Sequence, residues 1–188
     1  MSRAAAGLPW RRIAAWVVDW LVISVYAAAL VPVGLLLVES SVRLSPLGWN
    51  AVSFVVLVLP ATVWAASWER TRRGATPGKR LLGLRVRTQP GGRLSWGQAM
   101  ARNSLKIAVP WEAGHTAAFL LADPGGGDVT IAIGMASAVI ACAVAAVYVA
   151  ALFIGEGRTL YDRAAATRVR ARESPRRRPG PDPPRACG

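Results

Sequence analysis

Four stretches of the chain are long and apolar: residues 13–38, 47–67, 104–122 and 129–154. A hydrocarbon core of roughly 30 Å takes about 20 helical residues to cross, so each stretch predicts a membrane-spanning helix. The third is the most polar, because WEAGH (Trp111 to His115) puts an acid and the only histidine near its middle. Pro32 and Gly34 fall inside the first stretch and Pro60 inside the second. Membrane helices tolerate such residues where neighbours satisfy the freed backbone groups, with local bends as the consequence. In the fourth, Gly134, Ala138, Cys142, Ala146 and Ala150 recur every four residues, the pattern of a flat ridge for close helix packing.

The segment between the second and third stretches has its own pattern. Thr76-Pro77 has the form of an N-cap followed by proline at the first helical position, so Gly78, Lys79 and Arg80 begin a short helix with its basic residues at headgroup level. LRVRT (Leu84 to Thr88) alternates as a strand does, QPGG (Gln89 to Gly92) turns, and Ser95 with Gln98 forms a capping box that starts the helix SWGQAMARNSLK. These predict two amphipathic pieces lying on the inner membrane face. After Asp162 the chain turns polar, and residues 171–188 form a Pro/Arg-rich tail whose composition predicts disorder.

Charge then orients the helices. The chain has 188 residues, 53% of them hydrophobic, with mean hydropathy +0.34 and formal charge +13. Of its 23 Lys and Arg residues, three precede the first stretch, ten lie from Arg70 to Lys106 and nine follow from Arg158 on; Arg43 alone lies in the first short loop. Positive residues collect on the cytoplasmic side. Four spans with both termini cytoplasmic therefore account for the distribution, and the expected class is an all-α, multi-pass membrane protein with a basic cytoplasmic central loop. A cleaved leader fits less well, because the first stretch continues beyond Ala27 to Ala29 and carries Asp19. Cys142 and Cys187 are too separated for a disulfide framework.

That aspartate is what composition leaves unexplained. An acid at the centre of a membrane helix costs about 2.5 to 3.5 kcal/mol, less near an interface. Arg12 shares its helical face but sits seven residues away, about 10 Å along the axis, too far for a rigid pair. Glu112 and His115, at i and i+3, share a face of the third span. Asp19, Glu112 and His115 are thus candidates either for bonds that hold the bundle or for a proton or cation pathway.

Other chemistries are excluded. GATPGKR has three residues where a phosphate-binding loop needs four, and Arg80 where it needs Ser or Thr. One E-x-x-H pair falls short of a di-iron bundle, which takes two plus further glutamates. No metal, cofactor or nucleophilic array is implied, so an enzyme is not expected. Nucleic-acid binding is not expected either, since the bases follow membrane topology and the polar segments lack aromatic stacking platforms.

Several motifs together resemble the RDD family of small bacterial membrane proteins, named for one arginine and two aspartates. Arg12 and Asp19 match the first-helix Arg and Asp. TPGKRLLGLRV (Thr76 to Val86) is similar to the family's loop motif, and ARNSLK, with Arg102, Asn103 and Lys106, to its Arg-Asn helix. LYDRAAATRV (Leu160 to Val169) resembles the closing segment and makes Asp162 the second aspartate, with Tyr161 where many members have His. The resemblance spans about residues 8–170 and implies a helical membrane domain over 1–170 with a polar cluster. It implies no substrate; cation/proton antiport has been suggested for some members. Two readings stay open: a proton-coupled or cation transport component using Asp19, Glu112 and His115, and a non-transporting adaptor or assembly factor. In the second, Arg12, Lys79, Arg80, Arg102 and Asp162 act at a basic face that binds anionic lipid headgroups or a membrane partner, a second copy of the chain included.

Overall fold

The computed structural model describes residues 7–172. Of the tail expected to be disordered from residue 171, Ala171 instead ends a strand, and the part from residue 173 on lies outside the described residues. Helix α1 (Leu8–Glu39) is followed by a helical rod built from α2 (Pro46–Ser53), a π-helical turn (Phe54–Val58) and α3 (Leu59–Arg70). The short α4 (Pro77–Leu81) leads into β1 (Leu84–Thr88). A second rod joins α5 (Trp96–Asn103), another π-helical turn (Ser104–Ala108) and α6 (Val109–Leu121), and returns through α7 (Asp128–Ala150). The short α8 (Leu160–Ala164) and β2 (Thr167–Ala171) close the described chain.

Three helical segments are long and apolar enough to cross a membrane: Leu8–Leu37, Pro46–Arg70 and Asp128–Ala150. Their surfaces carry exposed large apolar side chains such as Val25, Leu36 and Val129, a load that water would penalise and hydrocarbon does not. The α5–α6 rod is comparable in length but less apolar, because Lys106, Glu112 and His115 lie within it.

The two proline-bearing rods share a device. Pro60 has no N–H to offer the carbonyl of Val56, and Pro110 none for Leu105 in the π-helical register. Each carbonyl instead accepts a tyrosine hydroxyl from another helix, Tyr26 Oη on Val56 O at 2.6 Å and Tyr148 Oη on Leu105 O at 2.7 Å. A backbone group left open by proline thus becomes an inter-helix contact.

Three expectations need correction. The capping box at Ser95 forms, but α5 is not a separate amphipathic piece. Asn103 and Ser104 both keep helical backbone angles, so α5 runs straight on into the third stretch, with Arg102 and Asn103 buried. The ridge at every fourth residue of α7 holds only at its start. Gly134 lies against Leu121 so tightly that an added Cβ would sit 2.9 Å from its side chain, whereas Cys142, Ala146 and Ala150 are exposed. At 3.6 residues per turn, a four-residue step drifts about 40° each time, so the ridge winds off the packed face. Finally, the fold includes a small sheet. β1 pairs antiparallel with β2, Val86 opposite Val169, and the two valines join Ala15, Ala66, Leu94 and Ala99 in a compact apolar cluster.

That ladder brings the chain after α7 back to the chain after α3, so both helical hairpins open at one end, hereafter the polar end. With Cys142 and Cys187 replaced by serine, cysteines at Arg85 and Arg170, which face each other in the ladder, are expected to crosslink in intact membranes. Cysteines at Arg85 and Thr130, at opposite ends of the rods, are expected not to.

Candidate functional site

Helix α4 is held against α1 at both of its ends. Its first turn leaves backbone N–H groups without intrahelical partners, and Asp19 of α1 supplies the acceptor: Gly78 N donates to Asp19 Oδ1 at 2.8 Å and Thr76 Oγ1 to Oδ2 at 2.5 Å. The Thr76 hydroxyl therefore makes no side-chain cap of its own helix but reaches across to α1. At the other end, the Arg11 guanidinium donates to the carbonyl of Leu82. An acid at the N-terminus and a base at the C-terminus both complement the peptide dipoles. Glycine is required between them, since a Cβ on Gly78 would lie 2.2 Å from the Ala15 carbonyl oxygen. The aspartate inside the first apolar stretch thus caps a helix from another part of the chain.

From Asp19 a file of alternating charges crosses the polar end. Lys79 Nζ lies 3.8 Å from Asp19 and 2.9 Å from Glu69. Arg102 Nη1 donates to both oxygens of Glu69, at 2.6 and 2.5 Å, while its Nε and Nη2 donate to Asp162 Oδ1 at 3.1 and 2.9 Å. Arg12 Nη2 donates to Asp162 Oδ2 at 2.5 Å. The order is Arg12, Asp162, Arg102, Glu69, Lys79, Asp19: three cations interleaved with three carboxylates, all but Arg12 buried. Asn103 Nδ2 adds a bond to Glu69 at 3.0 Å, and the face of Tyr161 lies 5.2 Å from the Arg102 guanidinium carbon. Lys79 is thus buried in the protein and not displayed on its surface. Glu69 and Asp19 draw it into the protein, because an ammonium taken out of water requires a counter-charge.

Local structure aims these groups. Asp162 is the third residue of α8, in a capping box with Thr159, whose N–H and hydroxyl both donate to Asp162 Oδ2. That fixes one oxygen and turns the other to Arg102. Burial would raise the Asp162 carboxyl, but Arg102 and Arg12 outweigh it and hold its pKa below the ordinary 3.8. Arg80 leaves the file and lies over Trp68, 4.1 Å from the ring centre.

Glu112 and His115 are elsewhere. Asn50 Nδ2 donates to Glu112 Oε1 at 2.6 Å and to Thr116 Oγ1 at 3.1 Å, and His115 Nδ1 lies 3.1 Å from Ser53 Oγ. This second cluster joins α2 to α6. The cavity that touches Asp19 does not reach Glu112, and the hollow that touches Glu112 does not reach Asp19. The three groups grouped in sequence as one pathway are therefore two sites. Among the described residues, no three of His, Cys, Asp and Glu converge as metal ligands.

Glu69 and Arg11 escaped sequence reasoning. WER at the end of the second stretch looks like ordinary rim charge, and only the burial of Glu69 beneath Arg102 distinguishes it.

Gly78→Ala is expected to destabilise the folded protein by about 2 kcal/mol or more, seen as a lower unfolding midpoint in detergent and faster proteolysis of the central segment. Because the folded Asp162 pKa is depressed, its contribution to stability is complete above the unfolded value and is lost as pH falls through the folded one. Acid titration of unfolding should show that loss in the parent protein and a shallower dependence in Asp162→Asn.

Comparison with curated proteins and with solved structures finds no match for the chain. The family model described as "RDD family" matches residues 6–166, a range that contains every member of the charged file. The chain is a member of the RDD family.

Proposed function

We propose that the protein is a non-transporting adaptor of the bacterial plasma membrane, with four spans, both termini cytoplasmic, and a basic inner face that binds anionic headgroups or a membrane partner. The β1–β2 ladder and the Arg12–Asp162 pair favour four crossings. With the α5–α6 rod lying flat instead, a chain crossing once more through α7 would have to make both contacts through hydrocarbon. The distribution of 22 of 23 basic residues favours the same orientation.

The observation that carries the adaptor reading is the occupancy of the acids. A cation pathway needs a carboxylate free to exchange its partner for a passing ion. Asp19, Glu69 and Asp162 are each engaged by cations or N–H and O–H donors of the chain itself, and the cations equal them in number. What this file accomplishes is mechanical: it clamps the central and closing segments onto the inner ends of the spans, so the remaining arginines form a fixed basic surface.

One observation favours the transport reading. Among the described residues, Glu112 Oε2 and Asn50 Oδ1 are buried without hydrogen-bond partners, and such groups within a membrane span often mark a hydrated route. Reconstitution into vesicles with an imposed pH or Na⁺ gradient separates the two. The parent protein, Asp19→Asn and Glu112→Gln are all expected to give the flux of protein-free vesicles. Parent flux abolished by either substitution would overturn the adaptor reading.

A further inference from the structure

A cavity of roughly 410 Å³ lies beside the charged file, walled by α1 on one side and α7 on the other. Its polar end is formed by the paired Arg12, Asp19, Lys79 and Arg102, and by one more cation, Lys106. The rest is apolar and aromatic, with Trp16, Trp20, Trp64, Trp111 and Tyr148 among its walls. Trp16 and Trp20 remain 48% and 44% exposed, so the cavity opens sideways, on the surface that faces hydrocarbon.

Lys106 is the group the charged file leaves over. Arg12, Lys79 and Arg102 balance Asp162, Glu69 and Asp19 in five ion pairs; among the described residues, Lys106 enters none of them and makes no side-chain hydrogen bond. The site therefore has a formal charge of +1, held one turn inside the third span in a cavity with mostly apolar walls. An anion beside it is what would keep an ammonium in that position. The anion must also arrive from the side and leave something apolar against the tryptophans.

We propose that this cavity binds one net-anionic phospholipid of the inner leaflet, with its phosphate on Lys106 and its first acyl methylenes along Trp16, Trp20 and Tyr148. Lysine serves phosphate as a point charge, and indole rings favour the depth at which headgroup meets acyl chain. A cation is repelled by the site's charge. A zwitterionic headgroup brings its own ammonium and leaves Lys106 uncompensated. The inference deepens the adaptor reading and rests on its orientation, since the polar end must face the leaflet that supplies anionic lipid.

The test is lipid retention by the full chain in nanodiscs of phosphatidylcholine containing a minor fraction of phosphatidylglycerol, followed by native mass spectrometry after extraction. The parent protein should keep one phosphatidylglycerol per chain. Lys106→Met, similar in length but uncharged, should lower that retention roughly tenfold, and Lys106→Arg should restore most of it. Ala145→Trp, which fills the cavity from α7 and removes no charge, should lower it too. Arg93→Gln, on the outer basic surface, should not.

Undiminished retention in both Lys106→Met and Ala145→Trp overturns the proposal, as does equal retention of phosphatidylcholine. Competition by inorganic phosphate at equal concentration would make the site one for small anions, and a dimer replacing the retained lipid would make the occupant a second copy of the chain; either result also overturns it. Failure here leaves vesicle flux at background and the adaptor reading intact, whereas failure of that reading appears as flux whatever the lipid does.

Discussion

Charge cannot be left unbalanced where water is scarce, and the polar end of this protein is organised around that constraint. Three carboxylates and three cations come from α1, α3, α4, α5 and α8, elements far apart in sequence. Only Glu69 and Lys79 come from consecutive elements; every other pair joins elements distant along the chain. Each ion pair is therefore also a statement about chain topology: Arg12 meets Asp162 only when α1 and α8 lie together, and Arg102 meets Glu69 only when the two rods do. The small apolar cluster at the same end could not specify this arrangement alone, since alanines and valines discriminate poorly among packings. Directional, paired charges supply what it lacks.

Asp19 shows how a costly residue becomes a structural one. In isolation it weakens the first helix as a membrane span. Placed against the N-terminus of α4, it accepts two hydrogen bonds and neighbours an ammonium, and the glycine at position 78 lets the backbone come close enough to deliver them. Arg11 completes the clamp from the other end. A five-residue helix has little stability of its own; α4 exists because α1 caps it twice.

Much of this was legible beforehand. The helical stretches, the strand LRVRT, the Ser95 capping box and the helix beginning at Pro77 all follow from local pattern and recur in the structure. The partner strand was not expected, although TRVRA repeats the alternation of LRVRT, because it lies where the chain turns polar and strand signals need a known partner to stand out. The charged file was legible only in its members. Arg12, Asp19, Lys79, Arg102 and Asp162 stood out by residue type and position, but nothing in the spacing said that Arg12 would bypass Asp19 for Asp162. Glu69 was hidden because a charge at the end of an apolar stretch is ordinary, and burial is a property of the fold. Grouping Asp19 with Glu112 and His115 failed for a related reason: depth in a membrane can be inferred from sequence, but lateral position around a bundle cannot.

If the buried charges act as one unit, removing both partners must cost less than the sum of removing each. The most direct measurement is a double-mutant cycle on Glu69→Gln and Arg102→Met, read as unfolding free energy in detergent. Each single substitution is expected to cost about 3 kcal/mol or more, and the double variant to fall short of their sum by about 2 kcal/mol or more. Costs that simply add, or single variants as stable as the parent, would contradict the claim that paired charge holds the polar end together.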